Sequence, residues 1–213
     1  MQSTINALLV MVLLLNLYLL AASRIRALIQ GAALQGILLS AMPLLVLGHW
    51  GVTPVLVGLG TLALKGSIIP RMLLKALRDA QIKREVEPLI GLVPTMLLGA
   101  FGTAVSIAFA AHLSLAGGHS ETLIVPAAFS TVLTGFLLLI TRIKAISQVI
   151  GYLILENGIY IFGMLLVEAM PFLVELGILL DLFVGIFVVS IIIHHINSEF
   201  ASLDTWRLAS LKE

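Results

Sequence analysis

Seven apolar stretches, each about 20 residues long and bounded by short polar loops, occupy almost all of this 213-residue chain. They cover residues 3–22, 27–47, 54–76, 88–113, 122–141, 145–167 and 171–196. At about 1.5 Å per residue each is a helix of the length that crosses a roughly 30 Å hydrocarbon layer. None shows a clean 3.6-residue alternation of polarity, as expected where lipid and neighbouring helices are both apolar. The chain is 60% hydrophobic and 11% charged, with a mean hydropathy of +1.15, whereas a soluble domain is about 25% charged. Too few charges remain to cover a water-facing surface. The expected fold is therefore all-α, a polytopic membrane protein of about seven transmembrane helices with no separate soluble domain. Residues 1–113 form an N-terminal four-helix region, and 114–213 a C-terminal three-helix region with a short tail. Pro54, Pro88 and Pro171 fall at the starts of spans, where a missing N–H costs nothing. The first run follows no basic residue and is longer than a signal-peptide core, so it reads as a retained helix.

Charge is distributed unevenly among the loops. Arg24 and Arg26 lie between the first and second spans, and Lys75, Arg78, Lys83 and Arg84 between the third and fourth. Arg142 and Lys144 lie between the fifth and sixth, and Arg207 and Lys212 follow the seventh. The other three loops contain no Lys or Arg. By the positive-inside rule the N-terminus is expected outside and the C-terminus in the cytoplasm, which requires an odd number of spans. Cysteine is absent, which excludes disulfides, thiolate metal sites, iron–sulfur ligation and Cys nucleophiles.

Arg24-Ile25-Arg26-Ala27-Leu28-Ile29-Gln30 matches Arg142-Ile143-Lys144-Ala145-Ile146-Ser147-Gln148 at an offset of 118 residues. That offset maps spans one to three onto spans five to seven, with the fourth left over, as a parallel repeat of two three-helix units of the kind found in transporter folds. The competing reading is that any basic hairpin between two apolar helices has this appearance.

Three ionisable residues sit deep in spans. Glu156 is about eleven residues, roughly 16 Å, into the sixth. Asp181 in the seventh and Lys65 in the third reach a similar depth, and Glu175 lies about a turn in from the outer end of the seventh. A lone charge there costs at least about 2.5–3.5 kcal/mol on insertion scales, so residues of this kind pair or line a hydrated path. Burial raises a carboxyl pKa and a nearby Lys lowers it, the conditions for a proton relay at Glu156. A static ion pair of Lys65 with Glu156 or Asp181 accounts for the same residues. His194 and His195 end the seventh span, while His49, His112 and His119 show no ligand spacing. Asn16, Gln30, Gln35 and Asn157 are candidates for hydrogen bonds between helices. Gly31 to Gly36 and Gly58-Leu59-Gly60 read as close helix packing. No P-loop, dinucleotide fingerprint, nucleophile elbow or zincin motif occurs.

The last three spans resemble the K subunit of respiratory complex I and the small C subunit of Mrp antiporters. The residues that carry the likeness are the basic hairpin Arg142 and Lys144, Glu156 within Leu155-Glu156-Asn157-Gly158, and Asp181 followed four residues later by Gly185. The length, with this unit at the C-terminal end, resembles hydrogenase-4 component E, a membrane subunit of formate-hydrogenlyase-type complexes built around group 4 [NiFe] hydrogenases. The resemblance covers about the last 95 residues, and Asp181 departs from it in being Asp rather than Glu. It implies a non-catalytic subunit of a bacterial or archaeal cytoplasmic membrane complex, with no cofactor of its own. The NiFe centre and iron–sulfur clusters would reside in partner subunits, and the neighbours would be antiporter-like subunits, a quinone-site-type membrane anchor and the hydrogenase module. Glu156 would be the central proton-transfer residue, Asp181 or Glu175 its partner, and Lys65 a modulating charge. Two rival readings are a self-contained secondary transporter of a cation or small solute and a structural spacer without ion conduction.

Overall fold

A computed structural model of the chain describes residues 2–47, 51–79, 86–113, 123–166 and 183. In chain order these form α1 (Gln2–Ala21), α2 (Ile25–Ser40), α3 (Met42–Leu47), α4 (Val52–Ala63), a π-helical turn (Leu64–Ile68), α5 (Ile69–Asp79), α6 (Leu92–Ala111), α7 (Ile124–Thr141) and α8 (Ala145–Gly163). Among the described residues, six helical segments are long and apolar enough to cross a bilayer. Two of them are composite: α2 with α3, and α4 with the π turn and α5. No strand occurs among the described residues, and a helix satisfies its backbone polar groups within its own segment, as lipid demands of a spanning element. Of the seventh expected span, 171–196, only Phe183 is among the described residues.

One expectation needs correcting, and two of the expected spans carry an internal break. Pro88 does not begin a helix: it forms an antiparallel bridge with Arg142, and α6 starts at Leu92 after Gly91 in an extended conformation. With no N–H, Pro suits the edge of such a pairing as well as a helix start. The second span is not continuous, because it breaks at Ala41, two residues before Pro43, whose ring would collide with the carbonyl four residues back. The third span is interrupted by the π turn, which contains Lys65.

The core divides into two hydrophobic clusters. One, at the end that carries the basic hairpins, gathers Leu19, Ile25, Leu28, Leu73, Leu138 and Ile150 among others. The other, at the opposite end, gathers Leu9, Val12, Leu39, Met42, Ala127 and Ile161 among others. Each draws on residues from both 1–113 and 114–213. At the basic end a short extended segment fastens two hairpins together. Val86 N–H donates to Ser23 O at 2.9 Å, Leu89 N–H to Thr141 O at 2.8 Å, and Ile143 N–H to Glu87 O at 3.2 Å. Ser23 and Thr141 are themselves 118 residues apart, the offset of the repeated motif.

The tightest helix pair is α7 with α8. Lipid tails are as apolar as Leu, so helices in a bilayer associate through close packing and hydrogen bonds rather than water exclusion. A Cβ on Gly158 would lie 2.6 Å from the Val132 N and 3.0 Å from the Ala128 O, and one on Gly135 would strike the Leu155 backbone. Gly36 and Gly58 serve the close packing read from the sequence, whereas Gly60 faces open space. Gly158→Ala is expected to destabilise the bundle by about 1–3 kcal/mol, read as a lowered thermal midpoint in detergent. Gly163→Ala, with no atom of the described residues within 4 Å of the new methyl, should leave that midpoint unchanged.

Candidate functional site

Between the two apolar clusters lies a polar layer whose hydrogen-bonded chain links five of the six described spans. Lys65 Nζ, in the π turn, donates to Asn157 Oδ1 on α8 at 3.1 Å. Asn157 Nδ2 donates to Gln35 Oε1 on α2 at 3.1 Å. Gln35 Nε2 donates to Asn16 Oδ1 on α1 at 2.9 Å, and Asn16 Nδ2 to Thr131 Oγ1 on α7 at 2.9 Å. The Thr131 hydroxyl then donates to Ala127 O at 2.7 Å, ending the chain on its own helix. Beside Thr131, Ser130 exchanges a 2.7 Å hydrogen bond with Thr103, which ties in α6.

The direction of this chain follows from its charged end. An ammonium has three donors and no acceptor, so the Asn157 side-chain oxygen must face it. That choice forces the Asn157 amide nitrogen onto Gln35, the Gln35 nitrogen onto Asn16, and the Asn16 nitrogen onto Thr131. The amide dipoles align head to tail, each carbonyl towards the cation, and neighbouring hydrogen bonds polarise one another in a low-dielectric interior. Asn16, Gln35 and Thr131 are fully buried, and Asn157 and Glu156 are 2% exposed.

Lys65 Nζ lies 3.9 Å from Glu156 Oε2 and 5.5 Å from the centroid of the Tyr160 ring. Two local features bring Lys65 this far in. Gly36 lets the π turn press against α2, since a Cβ there would lie 2.7 Å from Lys65 Cβ and 3.1 Å from its carbonyl carbon. The π turn itself is of the kind that recurs at functional sites within helices. A cavity of about 10 Å³ opens beside Lys65 and Asn157 and extends towards the basic end past Ala32, Ala33 and Leu73. This is close to the least space that holds one water molecule.

Lys65 and Glu156 are therefore brought together, while Asp181 and Glu175 lie outside the described residues. His49, His119, His194 and His195 do too. His112 is exposed, and its Nδ1 lies 2.8 Å from Ala108 O. Among the described residues no group of His, Asp and Glu could hold a metal ion. Of the amides expected to link helices, Asn16, Gln35 and Asn157 do so, and Gln30 is exposed. Thr131 was not singled out from the sequence, because a Thr in an apolar helix commonly bonds back to its own turn, as this one also does.

Arg142 and Lys144 differ in role. Arg142 is 1% exposed and donates from Nη2 to Leu20 O at 2.8 Å, capping the carbonyl end of α1. Burial pushes its pKa below the ordinary guanidinium value. Lys144 instead forms a 3.1 Å ion pair with the half-exposed Glu87.

No family model matches the chain, and no solved structure is similar to it. Over 195 residues the chain is 31% identical to the uncharacterized protein Rv0085 of Mycobacterium tuberculosis, a match that covers 89% of this chain and 87% of that protein.

Replacing Gln35 by Met keeps the volume and removes both of its hydrogen bonds, leaving an Asn157 donor and an Asn16 acceptor buried. The expected loss is about 1–3 kcal/mol, measured as reduced resistance to unfolding in mixed micelles. Gln30→Met, at an exposed site one and a half turns away, should have no effect on that measurement.

Proposed function

The chain belongs to the same family as the mycobacterial protein Rv0085, and from the polar layer we propose that it is a non-catalytic, proton-conducting subunit of a membrane complex related to complex I. In this reading the parent assembly is a group 4 [NiFe] hydrogenase of the formate-hydrogenlyase type. Its redox centres are carried by partner subunits, and antiporter-like subunits flank this chain in a bacterial or archaeal cytoplasmic membrane. The N-terminus lies outside and the C-terminus in the cytoplasm.

The observation that carries the reading is the pairing of Glu156 with Lys65 in the middle of the bundle, 3.9 Å apart, beside a cavity lined by Lys65 and Asn157. A carboxyl group next to a cation changes its proton affinity as that cation moves, which is what a switched relay requires. The amides contribute differently. Primary amides neither take up nor release protons near neutral pH, so Asn157, Gln35 and Asn16 steady Lys65 and leave proton exchange to Glu156. Asp181 and Glu175 are its proposed partners in the seventh span.

The saturated amide chain also favours a second reading, in which Lys65 and Glu156 form a static lock. The two readings separate on one variant. Glu156→Gln is expected to leave assembly of the complex intact and to lower proton translocation by at least about tenfold. The measurement is proton uptake by vesicles containing the purified assembly. An assembled variant that translocates normally would leave the lock as the better account. Transport of a cation or solute by the purified chain alone in liposomes would instead establish a self-contained transporter.

A further inference from the structure

The span made of α4, the π turn and α5 has an outward face that changes character along its length. Over α4 and the π turn that face is apolar, with Leu56 63%, Leu59 57% and Ile68 43% exposed. Over α5 it is basic: Arg71, Lys75 and Arg78 are all exposed, while Pro70, Leu73, Ala76 and Leu77 on the other side are buried. The π turn is what joins the two stripes. It holds one more residue than an α-helical turn, which shifts everything after it by about 100° around the axis. Without that shift the α5 cations would point to the flank of the apolar stripe rather than continue it.

Depth makes the basic stripe unusual. Pro70 and Leu73 line the same cavity as Ile29 and Leu153, which lie four and eight residues beyond the first residues of α2 and α8. Arg71, between Pro70 and Leu73, is therefore about 6–12 Å inside the basic end of the bundle. None of the three cations makes an ion pair or hydrogen bond among the described residues. An outward-facing guanidinium at that depth requires an anion or water alongside it.

We propose that this face binds an anionic phospholipid, its phosphate held by Arg71, Lys75 and Arg78 and its acyl chains laid along Leu59, Leu62 and Ile68. The polarity of the face matches that of the ligand end to end: cationic at the membrane surface, apolar towards the midplane. Between Arg71 and Arg78 the stripe holds three cations and no acid, and with Asp79 at its end α5 keeps an excess of two positive charges, which selects an anionic headgroup over a zwitterionic one, whose ammonium they would repel. Arg71 and Arg78 can each grip phosphate oxygens through two N–H groups. The site is independent of whether Glu156 carries protons.

The test uses the full chain, tagged, purified from its own membranes with whatever subunits accompany it, and placed in nanodiscs of phosphatidylcholine containing a minor fraction of phosphatidylglycerol. Native mass spectrometry then counts the lipids retained on ejection. The wild type is expected to retain at least one phosphatidylglycerol in preference to phosphatidylcholine. Combined Arg71→Gln, Lys75→Gln and Arg78→Gln should lower that retention about tenfold. Arg24→Gln with Arg26→Gln, exposed cations elsewhere on the same end, should preserve it. Arg71→Gln alone leaves the buried side of α5 untouched and should lose retention several-fold, even if the triple variant does not fold. Unchanged retention in the α5 variants, or equal loss in the Arg24 and Arg26 control, overturns the proposal. Loss of a co-purifying subunit with lipid retention unchanged also overturns it, and assigns the stripe to an acidic protein surface.

Discussion

A polar group in the hydrocarbon core has little water to fall back on, so burying one there is costly unless another side chain or a carbonyl answers it. The layer through Thr131, Asn16, Gln35, Asn157 and Lys65 meets that condition by using each amide as acceptor on one side and donor on the other. No single pair in it is strong; hydrogen bonds between membrane helices average about 0.6 kcal/mol. Their weight comes from being sequential. Five spans have to be in register before the last bond can close, so the layer specifies one arrangement of helices where apolar packing alone would tolerate several. The two hydrophobic clusters above and below it then supply close packing without having to supply uniqueness.

Much of this was legible in the sequence. Length and hydropathy located the described spans, and the positions of Lys65 and Glu156 placed both near one depth. The three bonded amides stood out because Asn and Gln are costly in apolar helices. Other features were hidden for physical reasons. Pro88 suits a helix start and an unpaired strand edge equally well, and only its partner at Arg142 decides between them. Thr131 carries a hydroxyl that its own helix can satisfy, so nothing local marks it as the end of a chain. The π turn left a trace in the spacing: Thr61, Lys65, Ile69 and Leu73 all face inward at intervals of four, which drifts off a 3.6-residue helix unless an extra residue is absorbed. That trace is readable only once the inward positions are known.

Burial separates the two basic residues of the hairpin at Arg142 and Lys144, which composition treats alike. Lys144 pairs with Glu87 at the surface, where an ion pair contributes little. Arg142 is enclosed and directed at one carbonyl in the last turn of α1, that of Leu20, where the helix dipole favours a cation. The corresponding Arg24 of the first hairpin is exposed. The two halves of the repeated motif therefore share a sequence pattern and a backbone partner, but not the fate of their first arginine.

The segment 86–89 bonds backward to Ser23 and forward to Thr141 and Ile143. During synthesis these partners become available at different times. The Ser23 carbonyl has already emerged when Val86 leaves the ribosome, whereas Thr141 follows Leu89 only after a further 52 residues. The segment before α6 can thus be fastened on one side while two more spans are being made, and its pairing can be completed only once the fifth span has arrived. The order of manufacture is written into which hydrogen bonds the strap is able to make first.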